Sequence, residues 1–347
     1  MKKTLLLTTA LIGNLLIGSV QAQTTITGEL KMAYKSVDGF AAGAKSNSGF
    51  TSERQINLAT KGKLNNGLDY AAGFSLERDG SDTSFDGNEG NYFNIISGNT
   101  TVTLGMDHIL NGDYAIVPRA GAPMNEEIGV IGGTTVVRTD SAAGLQYSQS
   151  LGDNNEAMGL GVIQTIPSVG RLAVNFVPRS DDTAQTADTA VPVTAAGKSA
   201  YSIFFVGDLG VKGLQVALER AQNEKNGTDA TDQKVTAFGA SYTMGDFSFG
   251  AERQKYIDAT KAETETTEFG LTFKINNNAS AGIGRIVTEG KTSTGAGKAS
   301  DEEIQYLQIG YNLGGFSTQL SYIDAENVGY TAANDAQAFV AKIAAKF

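Results

Sequence analysis

Along most of its length the chain alternates apolar and polar positions with a period of two, the pattern of strands with two unlike faces. In TITGELKMAY, Ile26, Leu30, Met32 and Tyr34 share one side, and Thr27, Glu29, Lys31 and Ala33 the other. In LDYAAGFSLE, Leu68, Tyr70, Ala72, Phe74 and Leu76 oppose Asp69, Gly73, Ser75 and Glu77. EFGLTFKI and QYLQIGYNL repeat the pattern, with Phe269, Leu271, Phe273 and Ile275 on one side of the first and Leu307, Ile309, Tyr311 and Leu313 on one side of the second. The last stretch, AQAFVAKIAAKF, does the same up to its final residue: Phe339, Ala341, Ile343, Ala345 and Phe347 lie opposite Lys342 and Lys346. No helical periodicity follows the first 22 residues.

The connections alternate in length. Short ones carry turn residues: NNG at 65–67, SGN at 97–99, GD at 245–246, NNN at 276–278 and GG at 314–315. Long polar ones fall at 38–49, 80–90, 179–198, 222–232, 258–265, 290–301 and 326–336. Short turns at one rim and long loops at the other predict an up-and-down antiparallel meander, with no compositional break for a second domain.

Such a meander closes either as a soluble sandwich or as a membrane barrel, and alternation alone does not separate them. Three features favour the barrel. The polar face is rich in Gly, Ser, Thr, Asn and Gln, as a wet lumen requires. The strands run about ten residues, enough to cross a bilayer when tilted. Aromatics such as Tyr34, Tyr70, Tyr147 and Phe347 suit interfacial girdles, although the chain has no Trp. A terminal strand ending on Phe347 would close against the first strand and set its ring at the lipid interface, because every backbone group in lipid needs an internal partner.

Composition narrows the class. MKKTLLLTTALIGNLLIGSVQA has a basic start, an apolar run and a small-residue site, which predicts an export signal cleaved after Ala22 and a single domain over 23–347. The formal charge of −10 becomes −12 without Lys2 and Lys3, so nucleic acid is a poor partner. The absence of Cys excludes a disulfide framework, and 42 Gly against 5 Pro suits a sheet with many tight turns.

KGKLNNGLDYAAGFSLE (61–77), NYFNIISGNTTVTLGMD (91–107), RTDSAAGLQYSQS (138–150) and the strand ending in Phe347 resemble the Gram-negative general porins. The resemblance implies an all-β, sixteen-stranded transmembrane barrel, a homotrimer, and a third loop folded into the lumen. Sixteen strands over 325 mature residues leave about 20 residues per strand and connection, which suits tilted strands. The stretch 139–178 holds two or three strands by pattern, and an even total favours two. On the same resemblance, residues 109–134 form the third loop. They carry Asp113, Glu126 and Glu127, with Asp107 just before, as an acidic constriction. Lys31, Asn57, Lys61, Arg138 and Gln146 form the wall facing it. Asn57, Met106 and Gln146 stand where Arg is usual in the family, so the wall is less basic than the family pattern. Arg54 shares the parity of Ile56 and Leu58, which points it out of the lumen. Phe339, Ile343 and Phe347 are assigned to barrel closure and assembly.

Catalytic signals are thin. The one His, His108, has no Cys companion. TSTGAGKASD lacks phosphate-loop glycine spacing, and DTSFDGNEG is an acidic loop whose Asp82, Asp86 and Glu89 make a weak Ca²⁺ pattern. The expectation is a non-enzymatic, cofactor-free and metal-free outer-membrane porin that passes ions and small hydrophilic solutes, with cation preference. Its expected partners are outer-membrane lipid and lipopolysaccharide, the outer-membrane assembly machinery acting on the last strand, and two further copies of itself. A substrate-selective channel, or a barrel serving as surface adhesin or structural protein, is the alternative.

Overall fold

The computed structural model describes residues 23–39, 47–79, 86–105, 116–117, 159–178, 199–224 and 231–347. They form sixteen strands: β1 (Gln23–Gly39), β2 (Asn47–Lys63), β3 (Asp69–Asp79), β4 (Asp86–Ser97), β5 (Thr100–Gly105), β6 (Gly159–Ile166), β7 (Gly170–Val177), β8 (Ala200–Gly207), β9 (Leu214–Asn223), β10 (Gln233–Met244), β11 (Phe247–Ile257), β12 (Glu263–Lys274), β13 (Ala279–Lys291), β14 (Glu302–Asn312), β15 (Phe316–Glu326) and β16 (Ala336–Lys346). Each strand pairs with its sequence neighbours, and β16 pairs with β1, giving one closed barrel. Closure excludes the sandwich, which needs two sheets with edges.

Exposure identifies the two faces. Phe339 and Ile343 of β16 are open to the outside, while Ala336, Ala338, Val340, Lys342 and Ala344 of the same strand are buried inside. The same alternation runs through β7 to β15. The outward side chains include Ile203, Leu218, Phe238, Phe249, Phe269, Leu307 and Leu320. A water-soluble protein does not leave so continuous an apolar surface uncovered, whereas a bilayer covers it. Outward aromatics gather beside the short-turn rim, where Phe247 meets Phe273 at 4.8 Å and Tyr242 meets Phe249 at 5.9 Å between ring centroids. Tyr70 and Tyr34 also take part in outward ring pairs, with Phe93 and Phe50; Tyr147 lies outside the described residues.

The short turns fall where the sequence puts them. Gly98 and Gly245 take left-handed backbone, with φ of 56° and 62°, which a Cβ would disfavour and which tight hairpins require. The hairpin read from 61–77 is present as β2–β3, and the described part of 91–107 as β4–β5. The stretch 138–150, taken as the strand after the third loop, lies outside the described residues. The strand that pairs with β5 is Gly159–Ile166, and the described part of 139–178 contains two strands, β6 and β7.

One expectation about the lumen needs correction. The inward face is not uniformly small and polar. Ile286, Ile304, Tyr306, Ile323, Ala325, Ala336, Ala338, Val340 and Ala33 form a buried apolar cluster on the inner face of β13–β16 and β1. Alternation is blind to this, because a strand covered on both faces also tolerates apolar residues at both parities.

Candidate pore constriction

The site begins with two residues of the segment between β5 and β6. Ile116 is 1% exposed and Val117 3% exposed. Ile116 packs with Val206 of β8, Ala217 of β9 and Ala237 of β10, all on the inner face. The wall makes room with small residues. A Cβ built on Gly239 of β10 would lie 2.8 Å from Ile116 Cγ2 and 2.9 Å from Glu252 Cβ, inside any allowed contact. Ile116 therefore sits inside the barrel against β8–β10, where the resemblance implied a third loop. Asp107, Asp113, Glu126 and Glu127, the acids expected on it, lie outside the described residues, as do Met106 and His108.

The seat is surrounded by acids that pattern reading did not single out. Glu219 of β9, Glu252 of β11 and Glu268 of β12 point inward and are buried. Glu219 is directly opposite Ala237, Gly239 is opposite Glu252, and Glu252 is opposite Glu268. Two like charges at one cross-strand position repel, so each is held by a local donor. Gln254 Nε2 donates to Glu252 Oε1 at 2.7 Å, and the Tyr306 hydroxyl donates to Glu268 Oε1 at 2.9 Å. By strand parity the inner faces of β8–β12 carry three carboxylates and one base, Lys274, which lies at the short-turn end. The signal for these acids was available: each occupies a polar-face position of a strand, but parity does not say which polar positions lie beside an incoming loop.

The wall residues expected to face the loop divide. Lys31 points inward and forms an ion pair with Glu53, its cross-strand neighbour. Asn57 also points inward and accepts a hydrogen bond from Ser75 at 2.6 Å. Lys61 has the same parity but pairs in register with Gln23 near the short-turn rim, away from the middle of the barrel. Arg138 and Gln146 lie outside the described residues. Lys346 adds a 3.5 Å contact with Glu29. Bases on β1, β2 and β16 are thus partly matched by acids of the same wall. Arg54 points outward with Ile56 and donates to Ser52 at 3.2 Å. Phe339 and Ile343 face outward on β16, and Phe347 meets β1 at Gly28.

Barrel closure, an outward apolar belt, Ile116 seated inside and an inner wall carrying carboxyl groups and bases together define a membrane-spanning pore. Comparison with protein families agrees: the family described as Gram-negative porin matches residues 8–311. The chain belongs to the Gram-negative porin family, and so to a class of outer-membrane channels. Solved structures share the fold. An anion-selective porin from Comamonas acidovorans superposes with a TM-score of 0.67 at 15% identity, covering 94% of this chain and 100% of that one. The trimer form of OmpT, an outer-membrane protein of Vibrio cholerae, gives 0.65 at 13% identity, with 94% and 99% covered. A mutant of Rhodopseudomonas blastica porin gives 0.59 at 14%, with 94% and 100% covered. No curated protein sequence matched the chain.

Proposed function

We propose that this chain is a passive, non-enzymatic diffusion channel of the outer membrane, for ions and small hydrophilic solutes, with a preference for cations. The observation that carries the reading is the seat of Ile116 beside Glu219, Glu252 and Glu268. An inward loop narrows the lumen, and carboxylates at a narrow, low-dielectric wall focus a negative potential that raises the local cation concentration. The net charge of −10 and the third-loop acids Asp113, Glu126 and Glu127 act in the same direction. The Comamonas relative in fold carries the opposite description, anion-selective; at 15% identity the likeness is one of fold alone.

The rest of the reading follows from the family. The chain is exported by a signal cleaved after Ala22, inserted by the assembly machinery acting on β16, and surrounded by lipid and lipopolysaccharide. It works as a homotrimer, a reading supported by a solved structure of OmpT described as a trimer form. Reversal potentials in a tenfold KCl gradient across a planar bilayer test the core of this. A potential of cation-selective sign is expected. A zero or anion-selective value refutes the selectivity, and absence of any conductance from folded, inserted protein refutes the channel.

A further inference from the structure

The buried apolar cluster inside the barrel is anomalous for a wall that should face water. Isoleucines on three neighbouring strands, Ile286, Ile304 and Ile323, are 0–1% exposed. Part of their cover is the loop between β15 and β16. Its residues Val328 and Tyr330 are buried, and Val328 belongs to the same cluster. The Tyr330 ring lies over the inner face of Gly290, where a Cβ would come within 2.8 Å of Tyr330 Cζ. Lys298, from the preceding loop, sits 5.5 Å above the same ring.

The loop is tied down at several points. The Gly329 N–H donates to the Glu302 carboxylate at 2.7 Å, on the inward side of β14. Asn327 donates from its side chain to the Asp301 carbonyl at 3.1 Å, and Asn334 from its side chain to the Val328 carbonyl at 2.8 Å. Its backbone is left-handed at Asn327, Gly329, Tyr330 and Ala333, with φ between 55° and 68°. Three of these four are not glycine, and such residues hold that conformation only where surrounding contacts over-determine it.

We propose that the β15–β16 loop is a second constriction element of this pore. It is a strap, latched through Gly329 to Glu302, that fills the β13–β16 sector of the lumen and confines solutes to the rest of the cross-section. Ile116 sits on β8–β10, in another sector of the barrel, so the size limit is set from two sides. The strap rests on the channel reading for its effect on permeation, but its placement does not.

Two measurements separate those parts. The chain has no native Cys, so Ala338→Cys places one thiol in the apolar wall. A membrane-impermeant cationic methanethiosulfonate should modify it at least about tenfold faster when residues 328–333 are replaced by a Gly-Ser segment of equal length, because the strap must otherwise open locally. Equal rates in the two backgrounds overturn the strap, whether or not the protein conducts. Single-channel conductance should rise roughly 1.5-fold or more in the Gly-Ser variant, together with faster liposome swelling in larger sugars. Unchanged conductance and unchanged sugar limits overturn its role in permeation. Glu302→Ala, which keeps the loop sequence intact, should move both readouts in the same direction, whereas Glu302→Gln keeps an acceptor for Gly329 and should match the parent. A Gln variant as open as the Ala variant overturns the latch.

Discussion

Phe347 and Gly28 close the barrel by exchanging both backbone hydrogen bonds, from Gly28 N–H to the Phe347 carbonyl at 2.7 Å and from Phe347 N–H to the Gly28 carbonyl at 3.0 Å. The Phe347 ring lies on the outward face of Gly28, in space that any Cβ there would enter. Glycine at this position thus makes a seat for the aromatic, and the aromatic covers backbone that would otherwise meet lipid bare.

Gly28→Val should therefore mimic part of the loss of Phe347. Phe347→Ala keeps the backbone pair and forfeits at most about 1.5–3 kcal/mol of side-chain burial, less in practice because the ring is largely exposed. Deleting Phe347 removes the pair as well. Heat-modifiable migration and membrane yield are expected to fall in the order parent, Phe347→Ala, then deletion, with the folded barrel's melting temperature changing less than its assembly yield. Parental yield from the deletion variant would refute an assembly role.

The seat of Ile116 depends on a missing side chain at Gly239. Gly239→Val should push Ile116 off the β8–β10 wall, with a destabilisation on the order of 1–3 kcal/mol from overpacking and a change in single-channel conductance. Ile116→Ala should change conductance in the same direction without the overpacking. Conductance that ignores both substitutions would show that the seat does not set the pore.

Selectivity should respond by location. Glu126→Gln with Glu127→Gln is expected to lower cation preference, and so are Glu219→Gln and Glu252→Gln. Asp324→Asn, on the outward face of β15, should leave the reversal potential unchanged. The preference should fade as the Debye length falls from about 10 Å at 0.1 M to about 3 Å at 1 M salt. Equal effects from Asp324 and Glu252 would separate selectivity from the lumen wall.

The outer rim has its own electrostatics. On the outward face of β11–β14, Glu263 meets Lys255 and Lys291, each at 2.6 Å, while Arg253 pairs with Glu265 and Arg285 with Glu303. The bases are about half exposed, so solvent screens each pair and its contribution to stability is small. Glu263→Gln touches two pairs and should lower the denaturant midpoint at low salt more than Lys291→Ala, with the difference shrinking at about 1 M salt. A salt-independent difference would point to packing instead.

The family also sets an expectation of three copies. Native mass spectrometry in mild detergent should give a trimer mass; a monomer as the sole species would refute it.

Period-two alternation and turn chemistry determined the strands, their faces and the short-turn rim. They could do so because side-chain parity and left-handed glycines are local properties of the chain. Parity alone also put Arg54 outside and Lys31 on the polar face, while the family resemblance put Asn57 on the pore wall. Which inward residues meet was decided only by closure. The seating of Ile116 over Gly239, the line of Glu219, Glu252 and Glu268 beside it, and the pairing of Lys31 with Glu53 all join residues on different strands or loops. Their heights are fixed by register and barrel shear, which no single strand encodes. The strap is the clearest case. Asn327 to Tyr330 read as part of an ordinary polar loop, and the alternation did not single out the isoleucines of β13, β14 and β15. Only the folded barrel brings them together, because an apolar wall inside a wet lumen is stable when another part of the chain covers it.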